Sequence, residues 1–386
     1  MKHAHFRRRG VSMAVALVTG AALVAGCSTG TSTASSSSAS AASADVIDQF
    51  LLAPNTAKKF EASQTGTPVT GPISGQPILM PYTGVLPLPD GPIGDPSRTY
   101  SFCMSQALTG STWAVAQQES VQIEAARHSN VKVSYYNTNN DPLKQVQDLD
   151  TCLAQKVDGI VVWPHSVAPL TPEIEKIKNA GTVIVGMERT VATRNYSSWI
   201  YLDNDAATAN VAAEVCKKLG GKGTVAETDG AVGSSPQILR RAGFLDGIKA
   251  NCPDVKVVFT APTDYSRGQG YKVATDFLQS GNGQNIDAWY SQYTEIGFGI
   301  AQALKDAGKT SIPQYSIVDG KAAVQAVLDG TFAAVAPWNP VHGDVALRAA
   351  IYHVLKMDVP TDVLLVQPPV ITTQNAAQQL QLTWPG

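Results

Sequence analysis

The chain has 386 residues, of which 44% are hydrophobic and 16% are charged, and its formal net charge is -2. Such a length can supply two ordinary globular domains, each with its own core. The near-neutral charge leaves no basic excess to attract nucleic acid, so we expect no nucleic-acid partner.

Residues 1–26 have the layout of a secretory signal peptide, in which basic residues such as Arg7-Arg8-Arg9 precede an apolar run over 11–25. The run is shorter than the about 20 residues that a membrane-spanning helix needs. Its end, Leu23-Val24-Ala25-Gly26-Cys27, resembles a bacterial lipobox. The resemblance implies cleavage before Cys27 and lipidation of its thiol, which anchors a protein to the outer face of the plasma membrane without spanning it. An ordinary signal peptide with a coincidental cysteine is the alternative.

Two segments of biased composition follow. Residues 27–44 consist almost entirely of Ser, Thr, Ala and Gly, which bury too little apolar surface to order a chain, and they predict a flexible tether. Residues 45–97 predict an N-terminal arm, with a short helix over 45–60 and an extended, proline-rich stretch over 61–97. This stretch either lies on the folded body or serves as a plain spacer.

From Thr99 onward, short apolar runs alternate with longer amphipathic ones. The predicted strands are residues 100–104, 131–136, 159–163, 183–186, 199–202, 224–227, 255–260, 288–290, 315–318, 333–336 and 363–366. The predicted helices are residues 112–127, 142–155, 169–179, 206–219, 236–250, 267–279, 295–306, 322–328 and 341–355. This alternation predicts parallel sheets covered by helices on both faces. Because about eleven strands are too many for one compact small sheet, we expect two α/β lobes.

Several short motifs together resemble one family. Asp141-Pro142-Leu143-Lys144-Gln145 and the later run Val157-Asp158-Gly159-Ile160-Val161-Val162-Trp163-Pro164 resemble the signature of ribose-type sugar-binding proteins of ABC importers. Further matches follow in the same order, among them Glu188-Arg189, Arg240-Arg241-Ala242-Gly243-Phe244 and Val318-Asp319-Gly320. The resemblance extends from about residue 98 to 373.

The resemblance implies the type I periplasmic binding protein fold, in which two doubly wound parallel-sheet lobes are joined by three crossover strands. It places an N-terminal lobe at 98–203 plus 339–367 and a C-terminal lobe at 204–338 plus 368–386. Ligand is then expected in the cleft at the carboxyl ends of the strands, with closure by a hinge motion. Related regulators carry a DNA-binding element in front of this body, where the present chain has a signal and a tether.

The resemblance also implies which side chains bind ligand. Those of the N-terminal lobe are Gln106, Ser111, Trp113, Trp163, Glu188 and Arg189. Those that follow are Arg240, Tyr265, Tyr293, Asp319 and Trp338. The acids and arginines are expected to exchange hydrogen bonds with sugar hydroxyls. A core anchor is the alternative interpretation of Trp113, and a surface ion pair that of Glu188-Arg189.

Aromatic residues at three of these positions bear on the ligand class. Trp163, Tyr293 and Trp338 stand where the family has polar or amide side chains. Aromatic rings stack on the C–H faces of sugars, which favours a carbohydrate-like ligand other than free ribose. The same rings would suit an aromatic, nucleoside-like or cationic ligand.

Four cysteines remain beyond Cys27, and the cell exterior permits disulfides between them. Sequence alone allows three pairings or four buried free thiols. The fold that the resemblance implies favours Cys216–Cys252 first and Cys103–Cys152 second. The histidines are scattered and no C-x-x-C occurs, so we expect neither a metal site nor a cofactor.

The leading interpretation is a monomeric, lipid-anchored solute-binding protein that delivers a sugar, polyol or sugar derivative to the permease of an ABC importer. A binding module coupled to a membrane sensor is the second interpretation, since the same body serves both. An enzyme is the third, but the sequence contains neither a G-x-S-x-G elbow nor a G-x-x-x-x-G-K phosphate loop.

Overall fold

The computed structural model describes residues 57–63, 68–318, 320–381 and 383–385. Four predictions fall outside these residues: the signal peptide, the tether with Cys27, most of the helix over 45–60, and the ligand-binding role of Asp319. Among the described residues, none of the helices combines the length and the apolar character that a membrane crossing requires.

Strands and helices alternate along most of the described chain. The strands are β1 (Lys58–Glu61), β2 (Val69–Thr70), β3 (Pro77–Ile78), β4 (Tyr100–Gln106), β5 (Val131–Asn137), β6 (Gly159–Trp163), β7 (Val183–Met187), β8 (Ser198–Tyr201), β9 (Lys222–Asp229), β10 (Asp254–Pro262), β11 (Ala288–Ser291), β12 (Gln314–Ile317), β13 (Ala334–Ala336), β14 (Asp362–Val366) and β15 (Ile371–Thr372). The helices are α1 (Thr112–Ala126), α2 (Pro142–Ala154), α3 (Val167–Asn179), α4 (Asn204–Leu219), α5 (Ser235–Asn251), α6 (Arg267–Gln279), α7 (Thr294–Asp306), α8 (Lys321–Leu328), α9 (Gly343–Val354) and α10 (Ala376–Gln379), and a 3₁₀ turn follows α6 at Gly281–Gln284.

The strands form two large sheets. The seven strands of the first are all parallel, in the order β1-β14-β8-β7-β6-β4-β5. The six strands of the second have the order β10-β9-β11-β12-β13-β15, and only β15 is antiparallel to its neighbour. We call the first sheet with its helices the first lobe and the second sheet with its helices the second lobe. The predicted α/β class with parallel sheets is confirmed.

The chain passes between the lobes three times, after β8, after β13 and after β14. At each passage the strand that ends lies in one sheet and the next strand lies in the other. Because parallel strands end at the same edge of a sheet, the residues that follow them in both lobes converge on one cleft.

Burial on both faces explains the composition of the parallel strands. All five residues of β6 are buried, as expected for a strand with helices on either side. In β7, a Cβ atom at Gly186 would lie 2.3 Å from the indole of Trp199. Glycine at this position therefore lets the large ring pack against the backbone of the sheet.

The arm differs from its prediction at one end. Residues 58–61 form the strand β1, which pairs in parallel with β14 at the edge of the first sheet, so the helix predicted over 45–60 is wrong there. The edge of β14 offers unpaired backbone groups, and pairing with them outweighs local helix propensity. Further along, Tyr82, Leu88 and Ile93 are buried, and the hydroxyl of Tyr82 donates to the carbonyl of Val366 on β14 at 3.1 Å. The proline-rich stretch thus packs on the first lobe.

Two disulfides are present in the described part of the chain, one within each lobe. Cys103 on β4 bonds to Cys152 on α2, and their Cα atoms are 6.1 Å apart. Cys216 on α4 bonds to Cys252, which follows α5, with Cα atoms 5.6 Å apart. Both separations lie within the range that a disulfide spans. One bond therefore fastens each lobe.

Candidate functional site

A cavity of about 440 Å³ lies between the two lobes. Its walls come from loops that follow strands of both sheets, as the topology requires. Nine of the eleven predicted ligand-binding residues line it: Ser111, Trp113, Trp163, Glu188, Arg189, Arg240, Tyr265, Tyr293 and Trp338. The volume is in the range of small-molecule sites, and large aromatic side chains form much of the walls.

The prediction that Gln106 faces the ligand is corrected, because its side chain does not line the cavity. The residue ends β4 and is buried, and its Nε2 atom donates to the carbonyls of Leu108 and Ala114, both at 2.8 Å. It therefore shapes the loop between β4 and α1. The next loop residues reach the cavity, among them Ser111, which also caps α1 by accepting from the amide of Ala114.

Glu188 lines the cavity directly after β7, and its side chain is 3% exposed. Its Oε2 atom accepts from Nε1 of Trp163 at 2.7 Å, and its Oε1 atom accepts from Nε1 of Trp338 at 3.0 Å. The backbone of Glu188 has φ of 59°, a left-handed conformation that is uncommon outside glycine. Its amide donates to the carbonyl of Ile200 on β8 at 2.9 Å, which holds this conformation in place.

Two guanidinium groups flank this carboxylate. Nε of Arg189 lies 3.7 Å from Oε2 of Glu188, and Nη2 of Arg240 lies 3.8 Å from Oε1. Each guanidinium also stacks on an indole: Arg189 is 4.9 Å from the ring centroid of Trp163, and Arg240 is 4.8 Å from that of Trp338. Such cation–π contacts favour flat packing of charge against ring.

Both arginines are fixed by further hydrogen bonds. Nη1 of Arg189 donates to the carbonyl of His165 at 2.6 Å, while its Nε atom is buried without a hydrogen-bond partner. Arg240 donates through Nε to Asn204 at 2.9 Å and through Nη1 to the carbonyl of Gln292 at 2.7 Å. A buried donor without a partner is costly, and a ligand oxygen in the cleft could satisfy Nε of Arg189.

The three tryptophans of the cleft donate their indole N–H groups in hydrogen bonds to other protein atoms. Trp163 and Trp338 donate to Glu188, and Trp113 donates to the backbone carbonyl of Trp338 at 3.0 Å. The rings of Trp113 and Trp163 lie 5.1 Å apart and are tilted by 46°. The indoles therefore offer ring faces to a ligand, and polar recognition falls to other side chains.

Two tyrosines close the wall on the second lobe. Tyr265 and Tyr293 meet edge to face with centroids 5.9 Å apart, and the hydroxyl of Tyr265 is 3.1 Å from Oγ of Ser234. Burial raises the pKa of both phenols, so both stay neutral. A Cβ at Gly230 would lie 2.0 Å from the ring of Tyr265, so glycine there makes room for the aromatic wall.

Sequence reasoning missed a group of polar residues at the mouth of the cleft. Asn139, Asn140 and Asp264 line the cavity, and each has a positive φ. Nδ2 of Asn140 is 3.5 Å from Oδ2 of Asp264 in the other lobe, and Oδ1 of Asn140 is 2.8 Å from Nε2 of His165. The Asn-Asn pair between a strand and a capping Asp was the available signal, because Asn tolerates left-handed backbone.

The histidine beside this mouth is held neutral. Burial, and next the positive charge of Arg189, lower the pKa of His165 to about 4. The residues that the structure describes contain no group of three or more His, Cys, Asp or Glu side chains arranged to hold a metal ion. The cleft chemistry is thus that of stacked rings, two guanidiniums and hydrogen-bonding groups.

Two α/β lobes with three chain crossings and an aromatic cleft between them define a binding protein that encloses a small ligand. The profile of the family described as "Periplasmic binding protein domain" matches residues 102–356. This chain therefore belongs to the periplasmic binding protein family, and the family resemblance predicted from the sequence is confirmed. Family membership implies an extracytoplasmic location.

Individual relatives agree with this placement. A xylitol-binding protein of Mycolicibacterium smegmatis is 30% identical over 251 residues, which are 65% of this chain and 71% of that protein. The arabinose ABC transporter binding component of Shewanella sp. ANA-3, solved with α- and β-L-arabinofuranose, is 26% identical with a TM-score of 0.67 and covers 73% of this chain and 94% of its own. The fructose binding periplasmic domain of a hybrid two component system is 25% identical with a TM-score of 0.69, covering 73% and 93%. These relatives are binding proteins.

Proposed function

We propose that this chain is the substrate-binding protein of an ABC importer and that it binds a sugar, polyol or sugar derivative without catalysis. The observation that carries the proposal is the composition of the cleft, which is lined by Trp113, Trp163 and Trp338 together with Arg189 and Arg240. Arg189 stacks on Trp163, and Arg240 stacks on Trp338. Aromatic faces stack on the C–H surfaces of a sugar, while guanidinium groups donate to its ring and hydroxyl oxygens.

The relatives support the same ligand class. A xylitol-binding protein and an arabinose importer component are among them, and the second was solved with a bound sugar. A carbohydrate of five or six carbons suits a cavity of about 440 Å³. The large rings at Trp163, Tyr293 and Trp338 favour a ligand other than free ribose, because those positions offer ring surface rather than side-chain amides.

The test is a thermal-shift screen of the purified protein with xylitol, L-arabinose, D-fructose, D-ribose and myo-inositol, and with nucleosides and aromatic amines as comparison ligands. A ligand that binds only the folded state raises the melting temperature by mass action. We expect at least one sugar or polyol to raise it more than ribose does, and to quench or shift tryptophan emission as the cleft closes. A screen in which only nucleosides or aromatic amines bind overturns the carbohydrate assignment.

A second candidate function rests on one relative. The fructose binding periplasmic domain of a hybrid two component system shares the fold of this chain, so the same body can serve a membrane sensor. Co-purification from membranes after cross-linking separates the two functions. Capture of an ABC permease supports the importer, and capture of a histidine kinase receptor in its place supports the sensor.

We further propose that Cys27 is lipidated and anchors the mature chain to the outer face of the plasma membrane. The proposal rests on the lipobox-like sequence before this cysteine, since the residue lies outside the described chain. Cys27→Ser is expected to release the protein from the membrane fraction into the soluble one. A variant that stays in the membrane fraction, or a native mature protein that begins elsewhere, contradicts lipidation.

A further inference from the structure

The contacts of Glu188 indicate that it acts on the ligand through the aromatic wall. Both carboxylate oxygens accept an indole N–H, one from Trp163 at 2.7 Å and one from Trp338 at 3.0 Å. Trp163 ends β6 in the first lobe, whereas Trp338 follows β13, where the chain returns from the second lobe. Glu188 therefore bridges Trp163 and Trp338, which come from different parts of the fold.

The reach of the side chain matters for this arrangement. The Glu188 backbone is held in a left-handed conformation, so the carboxylate position depends on the two methylenes of the side chain. An aspartate at the same place would bring the carboxylate about 1.5 Å closer to the backbone. It could then keep one indole hydrogen bond at a normal length, but not both.

The same carboxylate also sets the positions of the cations. Arg189 and Arg240 lie 3.7 Å and 3.8 Å from its two oxygens, beyond hydrogen-bond distance, and each stacks on the indole that donates to that oxygen. The carboxylate therefore compensates two buried positive charges while the rings fix their planes. Removing it would leave two guanidiniums near each other in a site of low dielectric.

We propose that Glu188 is a positioning residue, which determines ligand specificity by fixing the separation and tilt of Trp163 and Trp338. Because all three indole N–H groups of the cleft are bound to protein atoms, the rings present only their faces. The positioned faces select a ligand with apolar ring or chain surfaces, and they do not select it by its acceptors. This inference rests on the proposed carbohydrate-binding function.

The first experiment measures the rings without any ligand. Glu188→Asp keeps the charge and shortens the side chain, and Glu188→Gln keeps the length and removes the charge. We expect both variants to lose near-UV circular dichroism from the packed indoles while the far-UV spectrum stays unchanged. Glu214→Asp is the matched control, since its carboxylate lies on α4 near Lys217 and away from the cavity. Near-UV spectra of both Glu188 variants that equal the wild-type spectrum overturn the proposal.

The second experiment is a double-mutant cycle with Glu188→Asp and Trp163→Phe, which removes the N–H and keeps a ring. Affinity is measured by calorimetry for xylitol and for each screened sugar that binds the wild type. Glu188→Asp is expected to weaken binding about tenfold or more. The double variant is expected to bind no more weakly than the single variant that has the lower affinity. Losses that multiply in the double variant mean that Glu188 contacts the ligand independently, which overturns the proposal. If no sugar or polyol binds the wild type, the proposed function fails and the unliganded spectra alone decide the role of Glu188.

Discussion

Arg348 and Glu124 form an ion pair that is almost completely buried, with Nη1 of Arg348 2.7 Å from Oε2 of Glu124 and side-chain exposures of 0% and 1%. Arg348 also donates to Asp344 at 2.8 Å and to the carbonyls of Tyr82 and Val85 in the arm. Burial alone would raise the pKa of Glu124, but His128 and the arginines around it lower that pKa below its ordinary value. One side chain thus fastens the arm to helices α1 and α9.

Arg348→Met is expected to lower the free energy of unfolding by about 3–5 kcal/mol, because buried carboxylates and two arm carbonyls lose their partner. Urea unfolding measures the loss, and limited proteolysis reports whether the arm detaches. Arg267→Met is the control, since Arg267 pairs with Glu295 on the surface and such a pair contributes about 0–1 kcal/mol. Equal losses in the two variants would contradict a fastening role for Arg348.

The two disulfides are expected to form in the exported protein and to stabilise it. Cys103–Cys152 joins residues 49 apart in sequence, and Cys216–Cys252 joins residues 36 apart. Loops of these lengths give about 2–4 kcal/mol of stability per bond. Alkylation in denaturant without reductant, followed by mass spectrometry, should leave these four cysteines unlabelled. Labelling of all four before reduction would contradict both bonds.

His342, whose ring centroid lies 6.1 Å from that of Trp113, predicts a pH dependence of stability. His342 is fully buried, and its Nδ1 atom is 3.1 Å from the carbonyl of Asn339. Burial lowers its pKa to about 4 from an ordinary 6.5. The unfolded chain therefore binds a proton near pH 6.5 that the folded protein does not bind until about pH 4. This group makes the free energy of unfolding fall as the pH drops through that window, and it adds no dependence above it.

His342→Gln removes this titration and leaves the other titrating groups in place. We subtract the free energy of unfolding of the variant from that of the wild type. This difference is expected to fall by up to about 3 kcal/mol between about pH 8 and about pH 4.5, given the size of the pKa shift. Thermal or urea unfolding at both pH values measures this change, and the titration of the carboxyl groups, which both proteins share, cancels in the difference. A difference that stays constant over this range would contradict a neutral buried ring.

Local sequence signals were sufficient for most elements of the two lobes. Helix α6 has the predicted bounds, and Asp141 caps α2 as the Asp-Pro pair indicates, accepting from the amide of Leu143. Strand β1 was not predicted, because its partner β14 lies far along the chain, with Lys58 opposite Val363, and no local pattern signals that pairing. The short strands β2, β3 and β15 likewise depend on tertiary partners.

Site residues that directly follow a strand were predictable from the sequence. Contacts between loops of the two lobes were less so. Glu188 follows β7 as expected, but the prediction that its carboxylate receives sugar hydroxyls did not anticipate that two indoles already occupy it. Asn140 and Asp264 were missed, since their contact exists only when two loops of different lobes face each other. Gln106 was misplaced because a side chain at a strand end can turn inward to hold its own loop.

The last prediction concerns Arg240, which is 4% exposed in its side chain and held by Asn204 and by the carbonyl of Gln292. These two bonds fix Nε and Nη1, so Nη2 near Glu188 is the group most available to a ligand oxygen. Arg240→Ala is expected to weaken sugar or polyol binding by roughly 2–4 kcal/mol, which is the cost of losing a charged hydrogen bond and leaving its partners unpaired. We expect a similar loss for Asp319→Ala from the sequence pattern alone. Calorimetry measures both, and Arg267→Ala serves as a surface control whose affinity should equal that of the wild type. If Arg240→Ala binds as tightly as the wild type, Arg240 is not a ligand-binding residue, and a lowered unfolding temperature of that variant would make it a structural residue of the second lobe.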